Sequence, residues 1–70
     1  MIEWTATPQS SNIRRVGYDA DTQDLTVEFA GGSYVYSGVD KQTADDLAAD
    51  PSPGSFFARH VKTRYPTRRL

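Results

Sequence analysis

Seventy residues leave room for one domain, and a core that small stabilises a fold by only about 3–5 kcal/mol. The absence of cysteine excludes disulfides and thiolate zinc sites and suits the cytoplasm better than a secreted scaffold. No apolar run approaches the roughly 20 residues that span a bilayer, and the Met1–Trp4 start lacks the basic and apolar segments of a signal peptide, so no membrane partner is expected.

Net charge is −1, but its distribution is uneven. Residues 1–53 hold three cations against nine acids, a balance of −6, and residues 54–70 hold five cations and no acid, a balance of +5. Such an asymmetry marks either an anion-binding end or the ordinary solvated cations of a helix and tail.

In chain order, residues 1–10 read as an N-terminal arm with little periodicity. Its one large apolar residue, Trp4, is expected to fold back over the edge of the core, because burying an indole removes much apolar area from water. Ile13 to Asp19 reads as a strand with Val16 and Tyr18 on one face and Ile13, Arg15 and Gly17 on the other. Asp19 to Asp24 is a turn-rich connection that superficially resembles a calcium loop. That motif needs Gly at its sixth position and Glu at its twelfth, where this chain has Asp24 and Ala30.

The strongest local pattern is Leu25 to Tyr36. Leu25, Val27 and Phe29 alternate with Thr26 and Glu28, and Gly31-Gly32 suits a two-residue type I′ turn. That turn pairs Ala30 with Ser33, Phe29 with Tyr34, and Val27 with Tyr36. Leu25, Val27, Phe29, Tyr34 and Tyr36 then share one face with Val16 and Tyr18. A three-residue loop would instead turn the tyrosines to the Glu28 face.

A lone small sheet is marginal in water, so this face needs a cover. Asp40 predicts an N-cap for a helix from Lys41 to about Ala49, with Val39 stapled against Ala44. After the Asp50–Gly54 break, Ser52 or Ser55 caps a second helix through about Arg64, with Phe57 and Val61 on its apolar stripe. Pro66 ends any helix before it, and residues 67–70 read as a mobile basic tail. The expected fold is α+β: a three-stranded antiparallel meander with two short helices on one face, in a single domain over residues 11–66. Its expected core is Val16, Tyr18, Leu25, Val27, Phe29, Tyr34, Tyr36, Leu47, Phe57 and Val61.

The order of these pieces carries a resemblance. Ser10, Ser11 and Ile13 precede Val16-Gly17-Tyr18-Asp19. Leu25 to Phe29, a glycine turn, Tyr34-Val35-Tyr36 and Gly38-Val39 follow, and then Ser52-x-Gly54-Ser55-Phe56-Phe57. From about Ser10 to Tyr65 the chain resembles the KTSC domain, a short domain found at the C-terminus of some lysyl-tRNA synthetases and as stand-alone bacterial and phage proteins. Tyr34 and Tyr36 match its best-known mark. The resemblance implies no established activity, and its synthetase context suggests RNA binding.

Read as chemistry, the residues give little support to catalysis. His60 is the only histidine, and no nucleophile or partner carboxylate can be set beside it from sequence, so it reads as a helix residue. Asp45, Asp46 and Asp50 read as a solvated acidic face, and Gly31-Gly32 lacks the Gly-Lys-Ser/Thr of a phosphate loop. The expectation is a non-enzymatic binding domain with no cofactor and no metal. RNA is the leading partner, held by Arg14, Arg15, Arg59, Lys62, Arg64, Arg68 and Arg69. A protein partner or a second copy of the chain is the alternative, with sheet edges, Ile13, Val35 and Trp4 as contacts.

Overall fold

Alternating apolar residues fold the first half of the chain into antiparallel strands, in a computed structural model that describes residues 2–70. Strands β1 (Ile2–Ala6), β2 (Ile13–Asp19), β3 (Asp24–Phe29) and β4 (Gly32–Tyr36) come first. Helices α1 (Lys41–Ala49) and α2 (Pro53–His60) follow, and β5 (Thr67–Arg69) closes the chain. The sheet runs β1-β2-β3-β4-β5, antiparallel throughout. The α+β class and the presence of two helices are as the sequence predicts, but the three-stranded meander is too small. Both ends of the chain add a strand: Ile2–Ala6 lies along β2, and Thr67–Arg69 lies along β4.

The β3–β4 hairpin turns earlier than the Gly-Gly pair suggests. Phe29 faces Gly32, Val27 faces Tyr34, and Leu25 faces Tyr36, so Ala30 and Gly31 form the loop. Neither loop residue has a positive φ; that conformation falls on Gly32, at +148°. The type I′ turn is therefore replaced by one that places its unusual backbone at the start of β4. The register differs from the expected one by two residues. A slip of two keeps every side chain on its face, so the shared face of Leu25, Val27, Phe29, Tyr34 and Tyr36 survives.

A slip of one occurs elsewhere. In β2 the pairing runs Ile13 to Phe29, then Arg15 to Glu28, which leaves Arg14 as an extra residue in a β-bulge. Ile13 thereby turns to the core, where only 1% of it is exposed, instead of sharing a face with Arg15. Thr7 fixes the bulge. Its hydroxyl donates to the Ile13 carbonyl (2.8 Å) and its N–H donates to the Arg14 carbonyl (3.1 Å).

The helices cover the expected face. The Asp40 side chain accepts from the Thr43 N–H (3.2 Å) and caps α1, whose Ala44 and Leu47 are buried against Val39. Pro53 starts α2 at a position where its missing N–H costs nothing. This helix stops at His60, four residues short of the expected end. The N–H groups of Val61 and Lys62 both donate to the Phe57 carbonyl, and Val61 takes a φ of −121° with its side chain fully buried. A β-branched residue gives up little helix propensity there and gains burial. Ile13, Val16, Leu25, Val27, Tyr36, Val39, Ala44, Leu47, Phe57 and Val61 form the core; Tyr18, Phe29 and Tyr34 are half-buried against it.

The opposite sheet face has no helix. Trp4 lies there on Gly17, not over the core edge, and 41% of it is exposed. Val35 is on this face but buried, and Ile13 is on the other, so neither offers the contact expected of it.

Candidate nucleic-acid interface

The seven candidate cations separate into groups once the register is known. Arg15 stands on the helix-free face opposite Glu28, donates to its carboxylate (3.0 Å), and lies 4.0 Å from the centre of the Trp4 ring. Arg68 stands on the same face and approaches Asp24 at 3.9 Å. Arg14 occupies the bulge at the start of β2, exposed and, among the described residues, in no ion pair with a carboxylate. Among the described residues, Arg59, Lys62, Arg64 and Arg69 are exposed and make no ion pair with a carboxylate.

Two of these four border a groove. Its wall is aromatic. Phe29 meets Tyr34 edge-on at 5.9 Å between ring centres and Phe57 at 5.3 Å, and Phe57 meets Tyr36 at 5.3 Å. Gly31, Lys62 and Thr67 complete a space of about 610 Å³, with no acidic residue in its lining. Arg69 is the register partner of Tyr34, and a Cβ on Gly32 would lie 3.6 Å from its guanidinium. The short strand β5 thus carries Arg69 to the groove side and Arg68 to the other, a consequence of strand alternation.

The two motif tyrosines have different jobs here. Tyr36 is only 5% exposed. Burial pushes its phenol above the ordinary value, against the opposing effect of a hydrogen bond with Thr67. Tyr34 is half-buried and keeps part of its ring in the groove. Tyr18 is excluded from the groove. Its hydroxyl donates to the Val39 carbonyl beneath α1, and burial, helped by the Asp40 and Asp45 charges, raises its pKa.

Other candidates are engaged locally. His60 is exposed and its ring rests on Phe56 at 4.7 Å. Asp45 pairs with Lys41 (2.7 Å), Asp46 accepts from Gln42 (2.9 Å), and Asp50 accepts from the Ser52 N–H (2.7 Å). Sequence reasoning missed Phe29, Phe57, Gly31 and Thr67 as groove residues. The first two read as core, and only the three-dimensional closure of β5 along β4 shows that their edges line an opening. Ser10, Ser11 and Asn12 meet Ser52, Gly54 and Ser55 in a polar cleft, so two distant segments of the resemblance are neighbours in space.

The sequence model of the KTSC domain matches residues 9–65. The chain belongs to the KTSC domain family. It is 36% identical over 64 residues to a lysine–tRNA ligase of Nostoc punctiforme, covering 90% of this chain but only 11% of that ligase. A protein of Tsukamurella paurometabola is 41% identical over 58 residues, 81% of this chain and 87% of its own length. A crystal structure of a KTSC domain protein from Yersinia pestis superposes with a TM-score of 0.92 at 28% identity, covering 100% of this chain and 99% of that one. The family therefore occurs both within a much longer ligase and as a protein of about this size. No helix among the described residues is long and apolar enough to cross a membrane.

Proposed function

We propose that this KTSC domain is a non-catalytic RNA-binding module. The observation that carries the reading is the set of four unpaired cations, Arg59, Lys62, Arg64 and Arg69, in a segment without acids. An exposed cation already held by a carboxylate has less to offer a phosphate, so Arg15 and Arg68 are secondary. The lysine–tRNA ligase relatives support RNA as the polyanion and the cytoplasm as the compartment. Cations of this kind give salt-sensitive and largely sequence-independent affinity.

The test is binding of the purified domain to single-stranded RNA, tRNA and DNA at two salt concentrations. Four phosphate contacts to a single strand predict that log K falls with log salt at a slope of about −3. Reversing Arg59, Lys62 and Arg64 to Glu should abolish binding while the thermal melt stays cooperative. No binding at low salt overturns the reading, because unscreened attraction is strongest there. A defined protein that co-purifies in that case makes a protein-interaction module the better account.

A further inference from the structure

We infer that the groove beside Tyr34 is a subsite for one unstacked nucleobase of a single strand, an inference that rests on the RNA-binding reading above. The groove joins two features that ssRNA readers combine. It has an aromatic ring in its lining, Tyr34, half-buried and set edge-on to Phe29 at 5.9 Å. It also has a cation, Lys62, and no acid in its lining, and Arg69, the register partner of Tyr34, stands beside it on the same sheet face. A base on Tyr34 leaves its flanking phosphates at the rim, where the two cations stand. An apolar peptide side chain would fill the aromatic wall equally well but would gain nothing from Lys62 and Arg69. That charge complementarity selects a nucleotide over a protein side chain. A duplex keeps its bases stacked and paired and presents none to the ring, so the subsite discriminates single strands from double strands.

Gly31 permits a sharp test. A Cβ there meets no atom within 4 Å, and the backbone φ is not positive, so substitution adds a group at the groove without a clash at its root. The probe is oligouridine of about ten nucleotides, within the usual site size for one small domain. A blunt RNA duplex of the same length is the comparison. Gly31→Glu should weaken oligouridine binding and Gly31→Lys should strengthen it. Tyr34→Leu should lose about ten-fold in affinity with an unchanged salt slope, as loss of one stacking contact requires, and Tyr34→Phe should retain it. If Tyr34→Leu proves unstable, the two Gly31 variants still decide the matter. Parent-like binding by Tyr34→Leu and Gly31→Glu, with loss only on reversal of Arg59, Lys62 and Arg64, overturns the subsite and leaves RNA binding standing. Equal affinity for the duplex also overturns it. No binding of any RNA at low salt removes both.

Discussion

Trp4 lies against the backbone of Gly17, and the two residues are register partners on β1 and β2. A Cβ on Gly17 would stand 2.8 Å from the indole Cε3 and 2.9 Å from the Ile2 Cδ1. That is closer than real Cβ contacts come. The glycine is required by this close approach and not by its φ, which is not positive.

The first prediction follows from it. Gly17→Val forces the indole off the sheet and should destabilise the domain by about 1–3 kcal/mol, the usual cost of overpacking. Trp4→Ala alone removes the cover and the ring beneath Arg15. In the double variant the clash with the indole disappears and only that with the Ile2 Cδ1 remains, so the two costs should not add. A double-mutant cycle by urea denaturation measures the difference, and strict additivity would show that the contact carries no energy.

The second prediction concerns Thr7. Its hydroxyl is buried and donates to the Ile13 carbonyl, and its N–H donates to the Arg14 carbonyl. Thr7→Val keeps the shape and deletes only the hydroxyl donor. The Ile13 carbonyl then loses that partner, at a cost of about 1–3 kcal/mol. A melting temperature within a degree or so of the parent would show that the bulge is held by something else.

These two sites also mark where the sequence stopped being legible. The face shared by Val16, Leu25, Val27 and Tyr36 could be read because alternation is a period-2 pattern, and a register error of two residues leaves it intact. The helices were legible from Asp40, Ser52 and the spacing of Phe57 and Val61. The bulge was not. One extra residue in Ile13-Arg14-Arg15 changes no composition, yet it turns Ile13 inward. Ile2 and Trp4 do alternate with Glu3 and Thr5, but short alternation beside Pro8 and a serine pair looks like an arm. Thr67-Arg68-Arg69 carries no apolar residue, and it is a strand only because β4 offers it an open edge. The candidate cations were found in the sequence, whereas their division into paired and unpaired groups depends on partners such as Asp24 and Glu28, which are far away in the chain.

The third prediction is acid sensitivity at the α1 cap. Hydrogen bonds from Thr43, side chain and backbone, hold the Asp40 carboxyl below its ordinary value. A carboxyl with a lowered folded pKa contributes stability that is present above its unfolded pKa, near 3.8, and is lost as pH falls through the folded value. Asp40→Ala should lower the melting temperature at neutral pH by an amount on the order of 5 °C, as loss of an N-cap does in a domain of this size. The gap between parent and variant should close in strong acid. A gap that persists at the lowest pH would mean that the cap does not act through its charge.

The fourth prediction is the alkaline counterpart, and its sign is opposite. Burial raises the pKa of Tyr18, with Asp40 and Asp45 adding to it, and burial raises that of Tyr36. The unfolded chain ionises its tyrosines near pH 10.0. Above that pH the folded domain holds protons that the unfolded chain has given up. Stability is therefore fully present below about pH 10 and falls as pH rises through the folded values. The two groups fail for different reasons. Ionising Tyr18 destroys the hydrogen bond it donates to the Val39 carbonyl and sets a negative charge near Asp40. Ionising Tyr36 places a charge against Phe57 in the core. Phenylalanine cannot ionise, so Tyr18→Phe and Tyr36→Phe should each flatten the fall in melting temperature above pH 10. Tyr18→Phe should also lower stability at neutral pH, by about 0.5–1.5 kcal/mol for the lost hydrogen bond. Melting curves between neutral pH and pH 12, read beside the phenolate absorbance of the folded domain, give both quantities. Slopes identical to the parent in both variants would show that neither phenol is sheltered by the helices.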